Sequence, residues 1–472
     1  LQDVPGEVDM VIISLPAESV MDVLQQCVAK NVKVVVIFSA GFAEVGAEGI
    51  AMQDQVRDLA RAHDIRLLGP NSLGVINAAN SSTASFAFIA DLEPVTPGTV
   101  GFVSQSGAFG AMMYAQATEA GVGCSSFTSV GNEADAEFSD FVGYLLDSPD
   151  TQVIGGYLEG AKDGDKLRRV AEKALELQKP ILILKVGRTG AGARAASSHT
   201  GSLAGDDQIY DAFFRQMGIV RIEALPDLTA FAILHRSGKV CPGRRVAILG
   251  GSGGQGVLLA DRCERLGLSV PEITGETRER LEQCLPEFAS ARNPIDLTAQ
   301  GGRDTSTWGK CLRALVDDPG IDVVLAQAFF RKEVGIRVAE ELVEICQSTP
   351  KLVVLMMHHR DDSEFVRKCI AMVEGAGIPI LGDGLQAADA VAKLCWYHQK
   401  VGQVGDAESP QARILPGEGV DALIHSPDRL SEFQCKQILS CYGIPVTSEA
   451  LVTSAEMAVE QARELGHPVA LK

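Results

Sequence analysis

Two glycine-rich turns, 146 residues apart, constrain this chain more than any other feature. The first follows the apolar run Val100-Gly-Phe-Val and reads Ser104-Gln-Ser106-Gly107-Ala-Phe-Gly110. The second follows Val246-Ala-Ile-Leu and reads Gly250-Gly-Ser252-Gly253-Gly254-Gln-Gly256. Ser106, Gly107 and Gly110 align without a gap to Ser252, Gly253 and Gly256, which reads as a duplicated strand, turn and helix. A helix that begins in such a turn presents unpaired backbone N–H groups and the positive end of its dipole, so its N-terminus is an anion site. Each end contributes about 0.3–1 kcal/mol, rising to ~2 kcal/mol when partly buried, which holds a phosphoryl group without trapping it. Between the turns lies Ser197-Ser-His199-Thr-Gly201, and two helix ends around one imidazole suit a phosphohistidine intermediate. The plain alternatives are turns that only close βα units, serines that only cap helices for about 1 kcal/mol, and a histidine that is one polar loop residue.

Composition removes several function classes. At 472 residues, 46% hydrophobic and 22% charged, the chain reads as a globular protein of about three domains. A net charge of −19 argues against nucleic acid or an anionic membrane as partner, since both call for a basic face. Eleven cysteines occur singly, with no C-x-x-C pair and no metal-ligand spacing. That pattern implies reduced thiols in a cytoplasm, with neither disulfides nor structural zinc. No apolar run approaches the ~20 residues needed to cross a bilayer.

The alternation of apolar and amphipathic segments is that of α/β domains with parallel sheets. Strands are expected at Met10 to Leu15, Val32 to Ser39 and Arg66 to Gly69, with helices at Ala17 to Lys30 and about Glu48 to His63. A loop from Asn71 to Gly98 leads to a second unit, and a third unit repeats the second, Lys179 to Lys185 matching Lys351 to Met357. A Gly, Pro and acid-rich stretch near 401–427 reads as a tether. Beyond it the pattern is helix, Gly443-Ile-Pro turn, strand, helix (Ala455 to Leu465) and strand (Val469 to Lys472).

The order of these units resembles the NDP-forming acyl-CoA synthetase family, related to succinyl-CoA synthetase. The residues that carry the resemblance are Gly69-Pro-Asn71, Ser104-Gln-Ser106-Gly107, Tyr157-Leu-Glu159-Gly160, Ser198-His199-Thr-Gly201, Gly250-Gly-Ser252-Gly253-Gly254, Asn293-Pro-Ile-Asp296, and Tyr442-Gly-Ile-Pro445 with Gly466-His-Pro-Val-Ala-Leu-Lys472. It implies three doubly wound domains and the start of a fourth: a Rossmann-like CoA-binding domain over 1–95, two duplicated flavodoxin-like domains over 96–240 and 241–400, a linker over 401–427, and an ATP-grasp opening over 428–472. It also places a first βα unit ahead of Leu1 and the body of the ATP-grasp domain after Lys472.

The implied reaction joins a carboxylic acid to CoA with ATP, releasing ADP and phosphate through an acyl phosphate and a phosphorylated His199. A histidine is needed because a nucleotide site and an acyl site cannot coincide, and an imidazole can carry the phosphoryl between them. Glu159, at the end of a buried strand, matches the family's partner for that imidazole; the alternative is a solvated strand-end carboxylate. Ser106 and Gly107 would hold the phosphoryl from one side, and Ser252, Gly253 and Gly254 from the other. The resemblance assigns CoA contacts to Ser14, Pro16, Ser39, Ala40, Gly41 and Asn71, which on sequence alone could each be an ordinary turn residue at a C-terminal strand end, and nucleotide phosphates to Lys472; Asn132, which follows a strand near the expected acyl site, is a candidate for substrate contact. Mg²⁺ would travel with the nucleotide, with no protein metal site. The Gly187 to Gly205 stretch is expected to be a mobile loop, and a homodimer fits catalysis between domains.

Arg188 and Arg194 flank the His199 segment as solvated arginines or phosphate-steering ones. His358-His359 beside Asp361 and Asp362 reads as a strand end rather than a metal site, and Cys395-Trp-Tyr397 as packing. Two other functions stay open: a CoA-binding scaffold without turnover, and a bifunctional enzyme with an appended transferase or lyase. The sequence does not name the acid.

Overall fold

A computed structural model describes residues 1–91, 97–200, 206–298, 305–330, 335–357, 363–406, 430–466 and 468–471. They fall into two units, Leu1–Val404 and Gly405–Lys472.

The first sheet of the larger unit has three parallel strands in the order β1 (Met10–Ile13), β2 (Val34–Ile37) and β3 (Arg66–Leu68). Between them run α1 (Ala17–Lys30), a 3₁₀ turn (Ala43–Val45) and α2 (Ala47–Ala62). Val20, Leu24 and Cys27 of α1 are buried in one cluster with Val35 and Ile37 of β2. Helix α1 stops at Asn31, whose left-handed backbone (φ 58°) closes the last turn as asparagine often does.

The second sheet contains β4 (Gly74–Asn77), β5 (Ser82–Ser85), β6 (Pro97–Ser104), β7 (Cys124–Ser129), β8 (Val153–Leu158), β9 (Ile181–Lys185) and β10 (Val220–Ile222), in the order β10-β9-β8-β6-β7-β4-β5. Its helices are α3 (Gly107–Glu119), α4 (Phe138–Asp147), α5 (Gly164–Glu176), α6 (Gly190–Thr200), α7 (Asp207–Met217) and α8 (Leu225–Arg236).

Two segments differ from expectation. The stretch read as a loop from Asn71 holds the hairpin β4–β5, antiparallel to β7 and closing one edge of an otherwise parallel sheet. Asn77 builds its turn by accepting the N–H groups of Ala79 (3.1 Å) and Asn80 (3.3 Å) through its own side chain, so residues that look like loop formers make a hairpin. The stretch expected as a mobile loop around His199 is largely α6. Four alanines between Gly190 and Ser197 supply helix propensity that outweighs the glycines and serines.

The third sheet is fully parallel, ordered β12-β11-β13-β14-β15, from β11 (Val246–Gly250), β12 (Ile295–Asp296), β13 (Val323–Gln327), β14 (Leu352–Met356) and β15 (Ile380–Leu381). Around it pack α9 (Gly253–Arg265), α10 (Gly275–Cys284), α11 (Thr305–Asp317), α12 (Gly335–Ser348), α13 (Glu364–Gly375) and α14 (Gly384–Asp406). The duplication extends to the helices. Both α3 and α9 are 13 residues long, and they begin and end at matching positions. One buried cluster joins the second and third sheets, with Phe231 of α8 edge-on to Tyr397 of α14 at 6.2 Å. Cys395 and Tyr397 therefore belong to packing.

Helix α14 reaches Asp406, several residues into the stretch read as a tether, whose remainder to 427 lies outside the described residues. The smaller unit contains α15 (Glu432–Cys441) and α16 (Ala455–Leu465). Neither of its expected strands is present among the described residues. A strand needs a neighbour to take its backbone hydrogen bonds, and the described part of this unit offers none.

Gly131, just after β7, gives a test of this packing. Its φ is +60°, and a Cβ there would stand 2.2 Å from the Pro70 carbonyl oxygen. Gly131→Ala is expected to destabilise the protein by more than ~2 kcal/mol in urea unfolding, because backbone strain and a clash add. Gly121→Ala, at φ +70° with nothing within 4 Å, should lose only about 1 kcal/mol.

Candidate active site

Both glycine turns stand where their sheets reverse direction of growth. Strand β6 has β7 on one side and β8 on the other, and β11 has β12 on one side and β13 on the other. In doubly wound sheets the crevice past such a strand is where ligands bind. Ser106 and Ser252 hold the N-cap positions of α3 and α9, yet neither side chain makes a capping bond, so a pure capping role for these serines is not what the geometry shows. The two turns are also hydrogen-bonded alike, Gly110 N–H to the Ser106 carbonyl (2.9 Å) and Gly256 N–H to that of Ser252 (3.0 Å). At the second turn a Cβ on Gly253 would stand 2.8 Å from Asp296 Oδ2, so glycine lets β12 come close. Beside that turn is a cavity of about 230 Å³, walled mainly by Ile248, Leu249, Val257, Leu259, Pro294 and Met356.

Glu159 leaves the end of β8 and is 4% exposed, which sets aside the reading of a solvated strand-end carboxylate. Its backbone is fixed from two sides. Gln105 Oε1 accepts the N–H of Glu159 (2.6 Å) and of Gly160 (3.2 Å), while Lys185 Nζ donates to the Glu159 carbonyl (2.7 Å). Gln105 Nε2 donates to the Gly160 carbonyl (2.8 Å) and to Glu133 Oε2 (2.9 Å). Glu133 Oε1 accepts the N–H of Phe138 at the start of α4 (2.7 Å). Burial lifts the Glu133 carboxyl to about 7, against the pull of the Lys162 ammonium, which donates to the carbonyls of Asn132 and Glu133. Burial likewise pushes Lys185 down to about 8, its ammonium 4.5 Å above the Tyr210 ring.

The residues expected on the CoA side come together at the C-terminal edge of the first sheet. Ser14 follows β1, and Ser39, Ala40 and Gly41 follow β2. Ser39 Oγ accepts the Leu15 N–H (3.3 Å), and its carbonyl accepts the Asn71 N–H (2.9 Å). Pro16 is the N-cap of α1, and Gly41 N–H donates to Glu44 Oε1 (2.6 Å). Helix α6, which carries His199 in its last turn, packs against the 3₁₀ turn Ala43–Val45 next to this edge.

Asn132, the residue expected to contact substrate, has its side chain among residues of the first domain. Its side-chain Nδ2 donates to Glu44 Oε2 (2.5 Å) and Gln53 Oε1 (3.0 Å), and its side-chain Oδ1 accepts from Asn71 Nδ2 (3.3 Å). Its partners belong to the first domain, so the residue bridges domains. Arg188 pairs with Glu223 (3.1 Å) and Asp207 (3.7 Å), as a surface arginine does. The side chain of His199, along with Lys472, His358-His359, Asp361 and Asp362, lies outside the described residues. Gly254, which completes the second turn, has open space where a Cβ would be.

Sequence reasoning missed Gln105, Glu133, Lys162 and Lys185. Two of them carried a signal: a glutamine between the serines of the first turn, and a lysine ending the apolar run Ile181-Leu-Ile-Leu, both polar where the strand pattern demands burial.

Residues 1–78 match a CoA binding domain, 97–234 a succinyl-CoA ligase like flavodoxin domain, 246–345 a ligase-CoA domain and 421–472 an ATP-grasp domain. The chain is 38% identical to acetate–CoA ligase [ADP-forming] II subunit alpha of Pyrococcus furiosus, over 69% of each chain. It is 33% identical to acetate–CoA ligase [ADP-forming] I of Archaeoglobus fulgidus, over 99% of this chain and 66% of that protein. The solved acetyl-coenzyme A synthetase 1 of Ca. Korarchaeum cryptofilum, in complex with phosphate and ADP, superposes with a TM-score of 0.73 at 29% identity, covering 87% of both chains. The chain belongs to the family of ADP-forming acyl-CoA synthetases, which are acid–CoA ligases with CoA-binding and ATP-grasp domains. It spans about two thirds of the length of the Archaeoglobus relative. Among the described residues no helix is long and apolar enough to cross a membrane.

Glu133 gives the site a pH signature. Its folded value, about 7, lies above the ordinary 4.5, so the folded state binds the extra proton between those limits and stability falls as pH rises through them. Glu133→Gln cannot titrate. The wild-type stability minus that of the variant should drop by ~3 kcal/mol between pH 4.5 and 7.5 in urea unfolding, because one proton held only by the folded state is worth about 1.4 kcal/mol for each step of one in pH. A flat difference would contradict the burial of this carboxyl.

Proposed function

We propose that this protein joins a carboxylic acid to CoA at the expense of ATP, with His199 carrying the phosphoryl group between nucleotide and acid. The observation that carries the reading is the placement of both copies of the glycine turn at the switch points of their sheets, each opening a 13-residue helix. The phosphoryl leaves the nucleotide for the His199 imidazole, with ADP as leaving group. It then passes to the acid's carboxylate oxygen, which restores His199 and forms an acyl phosphate. Attack of the CoA thiolate on the acyl carbon expels inorganic phosphate and leaves the acyl-CoA.

Each group has a role set by its place. Glu159 accepts the imidazole N–H opposite the phosphoryl, fixing the tautomer and stabilising the cationic ring. The N–H groups of Gly107, Gly253 and Gly254, with the hydroxyls of Ser106 and Ser252, donate to the phosphoryl oxygens. The contact of α6 with the Ala43–Val45 turn supports a CoA thiol arriving near His199, with Ser14, Pro16, Ser39, Ala40, Gly41 and Asn71 around the cofactor. The cavity beside the second turn offers apolar room for an acyl chain. Lys472 would contact the nucleotide phosphates, and Mg²⁺ would neutralise them when bound. A homodimer and a cytoplasmic setting belong to the same reading; the free thiols of all eleven cysteines suit a reducing compartment.

The test is alkaline peptide mapping of the full-length protein after incubation with Mg-ATP. Phosphate is expected on His199, absent in His199→Ala, and discharged by CoA together with the right acid but by neither alone. Ser106→Ala and Ser252→Ala should each slow that discharge by about 10²-fold, the cost of one oxyanion-type donor. A folded protein that binds CoA yet takes up no phosphate would be a scaffold instead.

A further inference from the structure

The turn that would hold phosphate and the carboxylate that would hold His199 are tied together by one side chain. Gln105 immediately precedes Ser106 and Gly107, so its backbone moves with that turn. Its side chain reaches to the end of β8 and binds both the Glu159 and Gly160 N–H groups through Oε1, and the Gly160 carbonyl and Glu133 through Nε2. Two bonds accepted and two donated are the whole capacity of an amide side chain. The residue is 8% exposed, and Glu133, which locks its Nε2, is 5% exposed. Glu133 is itself pinned by the Phe138 N–H and, through its carbonyl, by Lys162. A contact so completely spent transmits position, because no member can shift without stranding a buried polar group.

We propose that Gln105, locked by Glu133, is a positioning residue for phosphoryl transfer that sets Glu159 in register with the Ser106-Gly107 turn. The proposal rests on the roles given above to Glu159 and His199. Gln105 touches neither substrate nor phosphoryl. It acts through the backbone of Glu159, and a misplacement of about 1 Å in such a frame can cost about 10²-fold in rate.

The experiment is a double-mutant cycle on the full-length protein, reading the single-turnover discharge of phosphorylated His199 by CoA and acid. Gln105→Ala is expected to slow discharge by about 10²-fold with the half-saturating acid concentration unchanged. In a Glu159→Gln background the same change should cost less than about 3-fold, since a frame with nothing left to hold has no further effect. Glu133→Gln, which turns an acceptor facing Gln105 Nε2 into an amide without changing its size, is the second variant and should show the same dependence on Glu159; it carries the test if Gln105→Ala does not fold. A full loss that persists without the Glu159 carboxylate, or a change confined to the acid concentration needed, overturns the proposal. A wild-type protein that takes up no phosphate on His199 overturns the functional reading and the proposal with it, and that result is separable from the others because it precedes the cycle.

Discussion

The 2.9 Å bond from Gln105 Nε2 to Glu133 Oε2 ties the turn after β6 to the segment that grips the first sheet. Around that bond, residues 131–136 follow the β3 end of the neighbouring domain closely. Asn132 donates its N–H to the Pro70 carbonyl (2.9 Å), Ala134 to Gly69 (3.0 Å) and Ala136 to Leu67 (3.2 Å). Asp135 adds Arg66 (2.8 Å) and Arg61 (3.2 Å). One short stretch thus fastens the first domain to the second by backbone bonds, and its Glu133 side chain fastens the turn that carries Gln105.

The consequence is a continuous set of contacts from the end of the first sheet, where CoA is proposed to bind, to Glu159, the proposed partner of His199. Glu44 binds the Gly41 N–H with one oxygen and the Asn132 amide with the other. Glu133 follows in the chain, then Gln105 through its side chain, then Glu159. Hydrogen bonds to the Glu44 carboxylate hold its pKa below the ordinary value despite the burial that opposes them, so it stays an acceptor near neutral pH. The proposed reaction, which brings a thiol and a phosphoryl group to one acyl carbon, would need its two binding edges in fixed relation, and these buried polar contacts would supply it.

Much of this architecture is legible in the sequence where burial and periodicity agree. Helix α1 spans the residues its apolar spacing indicates, Ala17–Lys30, and α16 those of its own, Ala455–Leu465. The duplication is readable because glycine is demanded at both turns by close packing, as Asp296 shows at Gly253. The hairpin β4–β5 was hidden because Ser82-Thr-Ala-Ser85 has little apolar character, and its pairing comes from β7, far along the chain. The polar frame was hidden for a related reason. Gln105 and Lys185 show in the sequence only as polar residues ending apolar runs, and Glu133 shows nothing, because its role follows from being buried opposite Gln105, which only the fold decides. The Asn132 side chain joins two domains, a contact between residues 79 and 88 positions apart that no local pattern shows.

In the proposed mechanism the two copies of the glycine turn serve one phosphoryl group. A crystal structure of the full-length protein with inorganic phosphate tests it most directly. A single phosphate is expected, accepting N–H groups from Gly107 of one turn and from Gly253 or Gly254 of the other, beside the His199 imidazole. Phosphate held by one turn alone, with the second turned away or occupied by Asp296, would contradict it.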